Sequence, residues 1–491
     1  MTVQRPVLSG FHPDPSICRV GDTYYLATSS FEYAPGVPIF RSADLRTWEL
    51  VGHALHEPAQ LDVSKAGPSG GIFAPTLRHH DGRFWMITTN WSYDGGQLLV
   101  HAEDPAGPWS EPVRIPSAIG IDPDIAWDDD GTCLMTWTGP PEDGVPAGIR
   151  QAAIDSFTGE LSSEVRWLWG GTGGKFPEGP HLYRIGDHWY LLIAEGGTER
   201  GHAVTIARGD SPSGPFEVNP RNPILTHRGT DEPVQNTGHA DLVQRPDGSW
   251  AMVYLYHGVR ARGSSPEWHV LGRETFADEV AWEDGWPVLT GHVEPEPSSD
   301  RPVTESLDGG ALPPSWVGAA RFPSEFVSPA DHGLRVTADG EPVFVGRRQE
   351  HLHARARAQL AVDGVGGLSV RIDARHAVDL VYADGVVRAE WAVGDVRHVL
   401  GERAVEGDPV LELRMEPAPG GGWDPRGPDR IVAGIVEGET STELGAVDGR
   451  YLSTEVAGGM TGRMIGVVCS EGTVLLRSFQ YLGADDPEAL A

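Results

Sequence analysis

The sequence predicts an all-β protein: a five-bladed β-propeller followed by a C-terminal β-sandwich of jelly-roll type. One pattern returns five times in the first 295 residues. Each copy is a loop, a lead residue, a run rich in aromatic and β-branched side chains, and a short turn containing Asp and Gly. The lead residues are spaced 60, 48, 56 and 61 apart, a period suited to one four-stranded blade. Few windows show the 3.6-residue apolar period of an amphipathic helix.

The copies begin at Asp14 (HPDPSICRVGDTYYLATSS), Ala74 (IFAPTLRHHDGRFWMITTN), Asp122 (IDPDIAWDDDGTCLMTWTG), Glu178 (PEGPHLYRIGDHWYLLIAE) and His239 (GHADLVQRPDGSWAMVYLY). The turn Asp follows seven to nine residues later in every copy. RSADLRTW (41–48), HAEDPAGPWSEP (101–112) and ARGDSPSGPFEVNP (207–220) repeat a second pattern, an Asp shortly before an aromatic, as expected of an outer-strand turn. Equivalent positions of successive blades surround one axis. Three carboxyl groups and an imidazole are therefore expected at one mouth of a central channel.

The propeller is expected over residues 1–295 and a linker over 296–316, where Pro, Ser and acidic residues crowd without periodicity. Over 317–491 the strands continue without the blade repeat. GLSVRIDA, VDLVYADGVVRAEWAV and RMIGVVCSEGTVLLRSFQYLG alternate around Asp-Gly or Glu-Gly turns, which predicts a sandwich.

A net charge of −32 repels phosphate backbones and argues against nucleic acid as a partner. The start, MTVQRPVLSG, lacks the apolar core of a signal peptide, and no run of 18 apolar residues is present to span a bilayer. Three scattered cysteines, Cys18, Cys133 and Cys469, suit a reducing compartment better than a disulfide framework. These features together predict a cytoplasmic protein without a membrane partner. The oligomeric state is left open, a homo-oligomer included.

Asp14, Asp122 and Glu178 in one cavity suit hydrolysis of a glycosidic bond with inversion. One carboxylate takes a proton from water, and a carboxylic acid on the other side of the sugar protonates the leaving oxygen. A third carboxylate nearby raises the pKa of the acid by like-charge repulsion.

HPDPS (12–16), IDPD (121–124) and PEGPH (177–181) resemble the three catalytic motifs of glycoside hydrolase family 43. TGHADLVQ (237–244), LGRET (271–275), VGRRQEH (345–351) and LSTEVAGG (452–459) resemble segments of that family's β-xylosidases, so the likeness spans the whole chain. It implies that Asp14 is the general base, Glu178 the general acid, and Asp122 the residue that tunes and orients Glu178. It implies that Arg273 binds the terminal sugar and that Phe31, Phe73 and the blade-2 lead residue Ala74 line the substrate pocket. It places His239 beneath the site, where the family often holds a calcium ion. Many relatives have Trp in place of Phe73 and Phe in place of Met460.

Duller roles exist for the same residues. Asp124 competes with Asp122 as the third carboxylate. His239 can be a core histidine, Arg273 an ion-pair partner, and Phe31 and Phe73 ordinary core. Asp128, Asp129 and Asp130 read as a hairpin turn rather than a calcium loop. GGTGGK (170–175) lacks the ending of a phosphate-binding loop, and no G-x-S-x-G elbow is present. The expected activity is an exo-acting, inverting β-1,4-xylosidase on small xylo-oligosaccharides. An α-L-arabinofuranosidase or a bifunctional enzyme is the alternative, and a non-catalytic glycan-binding propeller is the alternative of another class.

Overall fold

The computed structural model describes residues 4–92, 96–258, 268–296, 303–307, 311–418 and 427–486. The chain divides into two compact units. The first comprises Met1–Leu8, His12–His257 and Glu274–Glu296; the second comprises Ser9–Phe11, Gly258–Arg273 and Pro297–Ala491.

Five antiparallel sheets of four strands each are the blades, and in the last four the strands follow one another in chain order. Blade 1 runs from Ser16–Val20 to Glu49–Leu55, blade 2 from Thr76–His80 to Val113–Ile115, and blade 3 from Ile121–Trp127 to Arg166–Trp169. Blade 4 runs from Glu178–Ile185 to Glu217–Val218, and blade 5 from Val234–Gln244 to Trp286–His292. The Asp-Gly and Gly-Asp turns join the first strand of each blade to its second, as the repeat predicts. Asp130 closes one of them by accepting from the Thr132 amide at 2.9 Å, so the triple Asp is a hairpin turn.

The apolar residues of each sheet face the next sheet, so the core lies between blades. Trp85, Ile87 and Leu99 pack with Ile125, Met135 and Trp137 between blades 2 and 3. Leu26 and Phe40 pack with Val243 and Val253 where blade 1 meets blade 5. Backbone bonds also close the ring there: the Val7 amide donates to the Thr275 carbonyl at 2.9 Å. The three thiols are free and buried. Burial pushes those of Cys18 and Cys133 up to about 12, which leaves them protonated and inert.

In the second unit, two strands of 21 residues, His353–Asp373 and Met464–Ala484, pair along their whole length. Register shifts at Gln359/Leu360 and Val365/Gly366 bend the pair. On one side of the bend His353–Asp373 pairs with Val410–Glu416; on the other it pairs with His376–Ala383. Each arm continues through two further strands, giving two layers over a core that includes Leu360, Leu380, Leu413, Ile435 and Phe479. Two stretches of the expected linker, 297–302 and 308–310, lie outside the described residues. The part between them is not irregular: Val303–Leu307 pairs with Phe479–Gly483. Its polar sequence hid this, because strand pairing is made by the backbone. The Thr454–Ala457 turn is the one α-helix among the described residues, and none of them form a helix long and apolar enough to cross a membrane.

Candidate active site

The innermost strands of three blades carry a backbone kink at the lead residue. Asp14, Asp122 and His239 have φ of 55°, 53° and 48°, a region that residues with a Cβ seldom visit. In blade 4 the residue in this conformation is Gly179, at 57°. The repeat therefore aligns Gly179 with Asp14, Asp122 and His239, and Glu178 stands one residue upstream of the expected position. The same bulge, between Ile121 and Asp124 in blade 3 and between Glu178 and His181 in blade 4, confirms that Gly179 is the counterpart of Asp122. Such kinks re-aim side chains at strand ends and recur at functional sites.

The kinks bring Asp14 and Asp122 into one run of contacts with His239 and with Gly179, the residue after Glu178. Ser29 Oγ donates to Asp14 Oδ2 at 2.6 Å and fixes that carboxylate. His239 Nδ1 lies 3.7 Å from Asp14 Oδ1. Gly179 packs against the His239 ring so closely that a Cβ there would sit 3.0 Å from the imidazole. The Gly179 amide in turn donates to Asp122 Oδ2 at 3.1 Å. Contacts thus run from Asp14 through His239 and Gly179 to Asp122, with Glu178 bonded to Gly179. Asp14 and Asp122 are buried and Glu178 is half-buried.

Three aromatic residues of blades 1 and 2 pack on one another. The Phe31 and Phe73 rings are 5.7 Å apart, and Trp91, missed from sequence, stacks on Phe73 at 5.6 Å and 12°. Trp91 is 55% exposed, so part of its ring surface is open to solvent. Ala74 is buried at the start of blade 2. Arg273 is buried as well and opens the strand Arg273–Glu283. Its Nε lies 3.5 Å from the Met460 carbonyl oxygen, also in the second unit.

The glycine-rich loop before Glu178 does cradle an anion, but one from its own blade. The Glu195 carboxylate accepts from the Thr172 amide (2.8 Å), the Gly174 amide (2.9 Å), Thr172 Oγ1 (2.9 Å) and Thr205 Oγ1 (2.7 Å). A Cβ on Gly171, at φ 77°, would collide with that carboxylate. This clamp fixes the approach to Glu178. Glu195→Ala is expected to cost about 1–3 kcal/mol of stability, because the buried Thr205 hydroxyl and three part-buried donors lose their acceptor. Thermal unfolding would measure it, with a parallel fall in kcat from the loosened loop.

Two residues beyond the lead position, every blade carries a buried polar side chain: Ser16, Thr76, Asp124, His181 and Asp241. Arg78 is the hub of this layer. Its Nη1 donates to Asp241 Oδ2 and its Nη2 to Asp124 Oδ1, each at 2.8 Å. Its Nη2 also lies 2.9 Å from His181 Nδ1. Burial would push the Asp241 carboxyl up, but Arg78 and His181 hold it well below the usual carboxylate range. Burial likewise opposes the charge on Arg78, and Asp241 and Asp124 more than offset it. Asp124 is thus committed to an ion pair, one layer below Asp122.

Calcium takes six to eight oxygen ligands. The Asp14 carboxylate lies 3.7 Å from His239 Nδ1, and the Asp124 and Asp241 carboxylates already face Arg78. Among the described residues no group of three or more His, Cys, Asp or Glu is arranged to hold a metal. Solvent would have to supply most of the shell of any calcium ion held there.

Residues 3–287 match the family described as glycosyl hydrolases family 43. The chain belongs to glycoside hydrolase family 43. Residues 330–474 also match the β-xylosidase C-terminal concanavalin A-like domain, in line with the layered second unit. Among family 43 relatives, the non-reducing end α-L-arabinofuranosidase BoGH43B of Bacteroides ovatus is 36% identical, over 96% of this chain and 91% of its own. A xylosidase/arabinosidase of Butyrivibrio fibrisolvens is 43% identical over 72% of this chain and 74% of its own. The crystal structure of xylan β-1,4-xylosidase from Bacillus halodurans superposes with a TM-score of 0.84 at 29% identity, covering 98% of this chain and 99% of that one. The family, the five-bladed propeller and the C-terminal β-domain expected from the sequence are thus established, and the protein is a glycoside hydrolase.

Proposed function

We propose that this family 43 enzyme removes terminal pentose units from the non-reducing ends of small oligosaccharides with inversion, acting as a β-1,4-xylosidase. The observation that supports the reading is the run of contacts from Asp14 through His239 and Gly179 to Asp122, which sets the three acidic segments next to one another. Asp14 takes a proton from water as the water attacks the anomeric carbon. Glu178 gives its proton to the leaving oxygen as the glycosidic bond breaks. The two carboxyl groups of such a pair stand about 6.5–9.5 Å apart, with the water beside the base. Asp122 keeps the proton on Glu178 by like-charge repulsion and, through the Gly179 amide, fixes the segment that carries it.

The first sugar released from xylobiose is expected to be the α-anomer by proton NMR. Initial β-xylose would mean a covalent intermediate and sink the inverting assignment. A second reading, release of α-L-arabinofuranose, is favoured by the name of the Bacteroides ovatus relative, whose likeness spans nearly the whole chain. Rates on aryl β-xyloside and aryl α-L-arabinofuranoside decide between them, because pocket shape separates the two sugars. An arabinofuranoside rate at least about tenfold higher would reverse the order. Asp122→Ala is expected to move the alkaline limb of the pH–rate profile to lower pH. An unchanged limb would remove the tuning role.

A further inference from the structure

We infer that Arg78 is the channel's own cation: a positioning residue that sets the spacing of Asp14, Asp122 and Glu178, with no metal ion in that role. The inference rests on the proposed reaction for the roles of those acids.

The five-blade layer around Arg78 is bonded throughout. Asp241 Oδ2, of blade 5, accepts from Ser16 Oγ (2.7 Å) and the Ile17 amide (2.9 Å) of blade 1. Ser16 Oγ accepts from the Leu77 amide of blade 2 at 2.9 Å. Asp124 Oδ2, of blade 3, accepts from the Leu182 amide of blade 4 at 2.9 Å. Tyr183 of blade 4 donates to Asp241 Oδ1 at 2.5 Å. The Arg78 guanidinium joins the two carboxylates that anchor these bonds, and it also reaches Ser16 Oγ of blade 1 (3.2 Å) and His181 Nδ1 of blade 4 (2.9 Å), so one side chain of blade 2 touches all four other blades.

Ser16 stands two residues after Asp14, Asp124 two after Asp122, and His181 three after Glu178. Only two or three residues of chain separate each acid from this layer, so the bonds that fix the layer also restrain the kinks that carry the acids. Both carboxylates are fully buried, and the Arg78 side chain is only 14% exposed. Two buried anions need a cation. The guanidinium supplies the charge and also donates along fixed directions, which a calcium ion cannot do.

The test uses the full chain and Arg78→Ala. The variant is expected to lose about 10²-fold in kcat through misplaced acids. Guanidinium ion at millimolar concentration should restore part of that loss, with equal urea and equal calcium as inactive controls. Wild-type melting temperature and kcat should not respond to EDTA or to added calcium. If Arg78→Ala does not fold, Arg78→Met with Asp124→Asn and Asp241→Asn removes the charge imbalance. That variant should fold, be impaired, and show no guanidinium rescue. Arg78→Ala with wild-type kcat, rescue by calcium rather than guanidinium, or wild-type protein destabilised by EDTA would each overturn the inference. A wild type that releases no pentose would instead defeat the proposed reaction, and the EDTA and calcium melting arm would still test the cation.

Discussion

Asp14→Ala is expected to lower kcat on xylobiose by about 10²–10⁴-fold while leaving KM within a few-fold. The base acts on a proton that moves only in the transition state, so its loss falls on turnover. The fold gives reasons to expect a clean result. Asp14 sits at a kink with φ of 55°, and alanine tolerates that conformation poorly, so some loss of stability is expected too. Asp14→Asn separates the two effects. Asparagine accepts the left-handed conformation and can still take the Ser29 hydrogen bond, yet it cannot accept a proton from water. Both variants should be inactive, and Asp14→Asn should melt closer to the wild type. Steady-state kinetics and thermal unfolding on the three proteins would check this, and an asparagine variant with more than about a tenth of wild-type turnover would remove the base role from Asp14.

Glu178→Gln is expected to discriminate between leaving groups. On xylobiose, where the departing oxygen must be protonated, kcat should fall by about 10²–10⁴-fold. On a dinitrophenyl xyloside the leaving group departs as an anion without help, and the loss should be about tenfold or less. The alkaline limb of the pH–rate profile should disappear with the side chain that produced it. Equal losses on both substrates would show that Glu178 positions the sugar rather than protonating it. The half-buried setting of Glu178, beside the clamp that Glu195 makes on residues 172–174, suits a group that must meet an incoming glycosidic oxygen.

Much of this could be read from the chain. The turn residues and aromatic strands marked all five blades, because a hairpin turn and a half-buried strand each constrain composition locally. The register of blade 4 could not be read that way. Glu178 is acidic like Asp14 and Asp122, and its chemistry drew it into a column that the backbone gives to Gly179. Only the φ angles and the bulge show the offset. Arg78 was missed for another reason. It stands in a strand of blade 2, where the lead residue is Ala74, and nothing local marks it. The column that includes Ser16, Asp124 and Asp241 was visible in the aligned repeats, two places after the lead residue. A buried polar residue recurring in every blade requires partners, and that requirement could have prompted a search for a cation. Trp91 lies beyond the repeat, and its stacking on Phe73 depends on how a loop returns.

The two 21-residue strands of the second unit are shared property. Neither layer owns them, so neither layer can melt while the other survives. A chain cleaved near residue 364, at the elbow of the first of these strands, would lose both layers at once. That unit should respond to heat, denaturant or protease as a single cooperative block, with no half-folded form to expose its edges to aggregation.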